Sequence, residues 1–223
     1  MTKTVLVVAA HADDEVLGCG GAIARHVAEG DTVRVVFMAD GVTSRSDATA
    51  EDAQDRKNAA ARAQEILGVS GIEHLDFPDN RMDSLPLLDV IQKLEPVINS
   101  VQPQLIYTHH HGDLNIDHRI THHAAITACR PVPGSGIREI RSFETLSNTE
   151  WGAQSFSPFQ PNIFVDISEY LDAKLSAISA YEVEMRAAPH TRSQEHVEFL
   201  ARHRGHSVGV GAAEAFMLVR EIL

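Results

Sequence analysis

Residues 5–26 read VLVVAAHADDEVLGCGGAIARH. The Val/Leu/Ala run from Thr4 to Ala10 has the pattern of a parallel strand buried on both faces. From Glu15 to Glu29 apolar residues recur at helical spacing and stop at Gly30, a residue suited to end a helix. Between strand and helix the chain places His11, Asp13, Asp14 and Glu15, one imidazole and three carboxylates within five positions.

Gly18, Gly20 and Gly21 stand where a dinucleotide fold carries its phosphate-binding turn. A pyrophosphate there would need bare backbone N–H groups and the positive end of a helix. Three acids occupy that end and repel it, so the glycines are read as positions of close helix–strand packing. One or two acids at a helix start are explained by the dipole, worth about 0.3–1 kcal/mol each. Three, behind a histidine and at the tip of a buried strand, repel one another unless a cation neutralises them.

A hydrolytic zinc takes three protein ligands and leaves one position for water. His11 and Asp14 can supply two. The third must come from another strand end, and HHHGDLNIDHRITHH, residues 109–123, is the histidine-rich candidate. Within it Asp117 and His118 fall at a helix start, which would hold His118 in orientation. Asp13, beside Asp14 but pointing elsewhere, suits the base that takes the proton from water.

Working outward, Thr32–Met38 reads as a strand, residues 43–55 as a polar loop and Asp55–Leu67 as a helix stopped by Gly68. GIEHLDFPDN (71–80) reads as a strand and turn, 84–100 as an amphipathic helix, and PQLIYTHHH (103–111) as a strand. This alternation predicts an α/β, Rossmann-like, doubly wound and mostly parallel sheet with helices on both faces. Such sheets bind ligands beyond the carboxyl ends of their strands. His11–Glu15, Asp40, Asp79–Arg81 and His109–His118 all fall at such ends, which predicts one composite site. Beyond Ile137 the sequence reads as two further strands (in 138–151 and 162–168) and a helix over Glu169–Met185. A helix, a glycine-rich loop and a closing helix are expected over 196–223. No linker or repeat divides residues 1–223, so one domain is expected.

The 223 residues are 43% hydrophobic and carry a formal charge of −12. That balance argues against a nucleic-acid partner, which needs a basic footprint, and against an anionic membrane surface. Two cysteines, Cys19 and Cys129, are too few for a disulfide framework and point to a reducing cytoplasm. The N-terminus has no signal-peptide pattern, and no apolar run approaches the ~20 residues of a membrane-spanning helix.

AHADDE (10–15) followed by the glycine cluster, and the distant Asp117-His118 pair, resemble the PIG-L/LmbE family of zinc-dependent N-deacetylases. RSFETLSNTEW (141–151), PNIFVDIS (161–168) and the closing AEAF (213–216) extend the likeness over most of the chain. The resemblance implies that His11, Asp14 and His118 hold Zn2+, that Asp13 is the general base, and that the substrate is a small N-acetylated amino sugar or conjugate. Assembly into a homo-oligomer is an open alternative. Ala12 replaces a proline usual in the family. Asn115 stands where many members carry a histidine that polarises the carbonyl, so oxyanion assistance falls to Asn115 or to a member of His109–His111, with His110 the named candidate. Asp40, Arg56, Asp79 and Arg81 are candidates for gripping sugar hydroxyls; each equally fits a turn or a solvated charge. Glu214 fits either the site or a salt bridge between closing elements. The rival activity is a metal-dependent hydratase or lyase acting on a small organic acid, which would need more cationic anchors than the site motifs offer.

Overall fold

In the computed structural model of the chain, which describes residues 2–44, 49–152 and 157–223, Thr4–Ala9 (β1) is an interior strand of a seven-stranded sheet. It pairs in parallel with Thr32–Ala39 (β2) on one side and Leu105–His109 (β4) on the other, Val5 lying opposite Val33 and Leu105. Gly71–Phe77 (β3) and Glu139–Phe143 (β5) extend the parallel array outward. The order reverses between β1 and β4. A crevice therefore opens at the carboxyl ends of these two strands, where doubly wound sheets receive ligands.

Both faces of the sheet are covered, as the unalternating strand sequences predict. Asp14–Ala28 (α1) and Ala50–Leu67 (α2) pack over Val5, Val7, Val33 and Val35. Leu87–Val101 (α3) and Ile116–Ala128 (α4) cover Leu6, Val8, Val36 and Ile106 on the opposite face. α2 starts five residues earlier than Asp55, because Thr49 and Asp52 form a reciprocal capping box. Residues 45–48 of the expected loop lie outside the described residues. No described helix is long and apolar enough to cross a membrane.

Two expectations for the C-terminal part are corrected. The helix expected over Glu169–Met185 is Leu171–Ser179 (α5), followed by a separate 3-10 turn at Glu182–Glu184. Tyr181, between them, turns inward and donates its hydroxyl to Glu15 at 2.6 Å. After Gln194–His206 (α6), the segment Ala213–Glu221 is not a closing helix. It is a strand (β7) running antiparallel between β5 and Ile163–Asp166 (β6). AEAFMLVRE has good helix formers. Pairing on both sides and burial of Phe216 against Tyr107, ring centroids 5.0 Å apart, outweigh that local preference.

β7 also explains a break in α1. Cys19 leaves the helical region (φ −147°, ψ 23°), which frees backbone groups on both sides of it. Lys174 Nζ donates to the Leu17 carbonyl at 2.8 Å. Glu214 accepts from the N–H groups of Gly21 and Ala22 at 2.9 and 2.7 Å, and from Lys174 at 2.6 Å. Glu214 is thus a buried salt bridge and not a cleft residue. Gly18 lies against the Phe143 ring, and a Cβ at Gly21 would meet Ile167 Cδ1 at 2.6 Å. The glycine cluster brings α1 close to neighbouring elements, as its reading predicts.

Candidate metal centre and reaction cleft

The tip of β1 and the start of α1 form a tight turn in which neighbouring acids diverge. Asp13 has φ +128°, a conformation rare for a residue with a side chain and common at functional sites. Its N–H donates to Glu15 Oε2 at 3.0 Å. The twist sends the three carboxylates in different directions. Asp14 turns to the imidazoles and its Oδ2 accepts the His11 N–H at 2.8 Å. Asp13 turns to the arginines. Glu15 turns inward to Tyr181 and to Gln64 Nε2 at 2.6 Å. Burial pushes the Glu15 carboxyl up to about 7, against the hydrogen bond from Tyr181. It serves as an internal brace for the turn.

α4 brings His118 to this turn. Its Nε2 lies 3.2 Å from Asp14 Oδ2, and His11 Nδ1 lies 3.2 Å from the same oxygen. Ligand atoms of His11, Asp14 and His118 all fall within 4.8 Å of one another, with all three residues buried. Burial works against charge on His118, but Asp14 and Asp113 outweigh it and raise the ring to about 9. Burial likewise opposes ionisation of Asp14, and the surrounding imidazoles hold its carboxyl well below the usual range.

Each imidazole has carboxylates at its other nitrogen. Asp113 Oδ1 stands 3.1 Å from His118 Nδ1. Asp117 Oδ2 and Asp79 Oδ1 each stand 3.1 Å from His11 Nε2. Asp117 is itself held by the N–H groups of Asn80 and Met82 at 2.7 and 3.0 Å. Carboxylate–imidazole pairs of this kind orient metal ligands and raise their basicity. The donor set fits a metal. Asp14 Oδ1 is buried without a hydrogen-bond partner, and two imidazoles with one carboxylate is a zinc set that leaves a position for water.

A cleft of ≈160 Å³ opens beside this cluster, lined by His11, Asp13, Arg56, Asp79, Glu184 and Arg192 among others. Asp13 Oδ2 accepts from Arg192 Nη1 at 2.7 Å, and Arg56 Nη2 lies 3.6 Å from Asp13 Oδ1. Burial raises the Asp13 carboxyl above its usual range, with Arg192 opposing and Asp14 reinforcing the shift. Arg56 also donates to the Ala12 carbonyl at 2.9 Å and pairs with Glu184. Arg56 and Glu184 line a larger neighbouring cavity of ≈460 Å³ between α2 and residues 179–184.

Other candidate positions are placed differently. Asp79 and Arg56 reach the cleft. Asp40 instead accepts from the Val42 and Thr43 N–H groups, closing the turn after β2, and Arg81 is exposed; neither lines the cleft. Asn115 lines it but is the cap of α4, accepting from the Asp117 N–H at 2.8 Å and donating to Asn80 Oδ1 at 3.0 Å. His110 is buried outside it, with Nε2 2.8 Å from the Ser157 carbonyl. His109 is the one of the three consecutive histidines that meets the cluster: its ring stacks on His118 with centroids 3.9 Å apart. Its Nε2 accepts the Ala10 N–H at 2.8 Å, and burial, reinforced by His118, keeps it well below the usual histidine range. Asp113 and Arg192 were not singled out from sequence, and His109 was named only as one of His109–His111. The signals available were strand parity for His109 and an aspartate five residues before His118; Arg192 had none.

A family profile, PIG-L (GlcNAc-PI de-N-acetylase), matches residues 6–129. An uncharacterised deacetylase of Escherichia coli, YaiS, is 32% identical over 186 residues, covering 81% of this chain and 91% of the relative. The diacetylchitobiose deacetylase of Thermococcus kodakarensis is 26% identical over 230 residues, covering 97% of this chain and 83% of that protein. The crystal structure of a 4-carboxy-2-hydroxymuconate hydratase from Pseudomonas putida superposes with a TM-score of 0.78 at 26% identity, covering 100% of this chain and 98% of the other.

Proposed function

The chain belongs to the PIG-L family of de-N-acetylases, and on that premise we propose that it is a zinc-dependent hydrolase that removes an N-acetyl group from an amino sugar or amino-sugar conjugate. The observation that carries this reading is the convergence of His11, Asp14 and His118 within 4.8 Å, with Asp13 turned from that set into the adjoining cleft. A site built only to hold a structural zinc would be closed by a fourth protein ligand and would need no separate carboxylate.

Bound through His11, Asp14 and His118, Zn2+ would supply Lewis-acid polarisation of the reacting oxygens. Asp113 and Asp117 hold the two imidazoles in orientation. Asp13 accepts the proton of the attacking water at Oδ1, the oxygen that lacks a hydrogen-bond partner. The water oxygen bonds to the acyl carbon and the carbonyl π pair moves onto its oxygen. Asp13 then returns the proton to the amide nitrogen, the C–N bond breaks, and acetate and a free amine leave. The cavity shared through Arg56 and Glu184 gives a conjugated substrate room beyond the reacting sugar.

The hydratase reading is favoured by the P. putida structure and by the presence of Arg56 and Arg192 on the cleft, two cations of which the sequence singled out only Arg56. Both are paired, with Glu184 and Asp13, which leaves less charge for an organic diacid. Metal analysis combined with an acetate-release screen over N-acetylated sugars and their conjugates tests the proposal. Acetate release that scales with bound zinc supports it. Hydration of an unsaturated oxo-acid with no acetate from any N-acyl compound replaces it with the hydratase.

A further inference from the structure

The reaction leaves negative charge on the acyl oxygen, and the sequence candidates for the group that meets it are otherwise engaged. His110 lies outside the cleft against the Ser157 carbonyl. Asn115 caps α4 and holds Asn80. Arg56, a sequence candidate for sugar hydroxyls, spends Nη1 on Glu184 and Nη2 on the Ala12 carbonyl, and its remaining Nε is buried against Gly41.

We propose that Arg192 is a catalytic residue whose Nη2 donates to the acyl oxygen as the carbonyl is attacked; the inference rests on the deacetylase reading above. Arg192 lines the cleft that contains Asp13 and His11. Three anchors fix its plane: Nη1 donates to Asp13 Oδ2 at 2.7 Å, and Nε to Ser147 Oγ at 2.7 Å and more distantly to the Leu146 carbonyl at 3.4 Å. Among the described residues Nη2 has no partner. Ser147 itself is held at φ +67°, a costly conformation for serine that places its hydroxyl on the guanidinium. A donor already oriented before reaction needs no reorganisation when charge develops. The guanidinium carries a permanent positive charge beside the developing oxyanion, which favours Arg192 over Asn148, a cleft residue with an uncommitted neutral amide.

In the step assigned to it, the water oxygen forms its bond to the acyl carbon, the π pair passes to the acyl oxygen, and the water proton goes to Asp13. Nη2–H of Arg192 donates to the oxygen that has gained the pair. The hydrogen bond is released when C–N cleavage restores the carbonyl of acetate.

The test uses the zinc-loaded full chain, with Arg192→Gln, Arg192→Lys, Ser147→Ala and Asn148→Ala compared with wild type. The probe is a methylphosphonamide of glucosamine, whose tetrahedral anionic oxygen mimics the attacked carbonyl. Arg192→Gln is expected to lower kcat by about 10²–10³ with KM changed less than about threefold. Calorimetric affinity for the phosphonamide should fall by a similar factor, with zinc content unchanged. Ser147→Ala, which keeps the guanidinium and removes one anchor, should move both quantities in the same direction by less. A kcat loss without loss of phosphonamide affinity would show that Arg192 only positions Asp13, and overturns the proposal. So does the full effect appearing in Asn148→Ala instead. Wild-type protein that yields no acetate from any N-acyl substrate overturns the deacetylase reading itself, a separate result.

Discussion

Asp113 Oδ1 stands 3.1 Å from Nδ1 of His118 while Nε2 of the same ring faces Asp14 at 3.2 Å, so the histidine is clamped between two carboxylates from different elements. With a metal on Nε2, Asp113 becomes the group that fixes the ring's tautomer and strengthens it as a ligand. Asp113→Ala should lower zinc affinity about 10–100-fold, read by competition with a chelating dye. Unchanged affinity would mean that the ring is held by its stacking on His109 alone.

Asp13 is separated from the metal set by backbone twist rather than by distance along the chain. Asp13→Asn keeps the side-chain volume and one acceptor for Arg192 but removes the basic oxygen. The variant should bind zinc with wild-type stoichiometry and lose about 10²–10⁴ of kcat. Metal analysis and acetate release on the same sample check it; appreciable remaining turnover rules out the base role.

What was legible from sequence follows physical lines. β1, α1 and the acid-rich turn were readable because burial on both faces leaves an unbroken apolar run and because helix ends are punctuated by glycine. The convergence of His11, Asp14 and His118 within 4.8 Å of one another was readable because few residue types suit a metal and each falls at a strand tip or helix start. β7 was not, since its strand state depends on partners 73 and 53 positions away, Phe143 and Ile163 opposite Phe216. Arg192 was hidden for the same reason, its partner Asp13 lying 179 positions earlier. His109 and His110 are neighbours that successive positions along a strand send to opposite faces, and the choice between them needed the parity of β4, in which Tyr107 and His109 share a side.

The Lys174–Glu214 pair differs from most buried ion pairs, which apolar residues of similar volume can replace at little cost. Here each partner also satisfies backbone groups exposed by the break in α1. Lys174→Met or Glu214→Gln should each cost about 3–5 kcal/mol. The double variant Lys174→Met/Glu214→Leu should not recover, because each orphaned backbone group still costs about 1–3 kcal/mol. Thermal unfolding reads this as a Tm lowered by roughly 10 °C in all three. A double variant near wild-type Tm would show that the break in α1 does not need the pair.

His122 supplies a pH dependence away from the candidate ligands. Its Nδ1 is 2.8 Å from the His109 carbonyl, but burial outweighs that hydrogen bond, and His111, His123 and His110 push the same way, lowering the ring to about 4. In the unfolded chain it titrates near 6.5. Between these values the unfolded state binds more protons, so stability rises with pH. The contribution of the neutral ring is complete above about 6.5 and is lost as pH falls toward 4, amounting to at most about 3 kcal/mol. Urea unfolding of metal-free protein at pH 7 and 4.5 separates this from zinc release and from the carboxylates. His122→Gln, which cannot titrate, should be less stable than wild type at pH 7 and converge on it at pH 4.5. Equal differences at both pH values would mean that His122 is not held neutral by its surroundings.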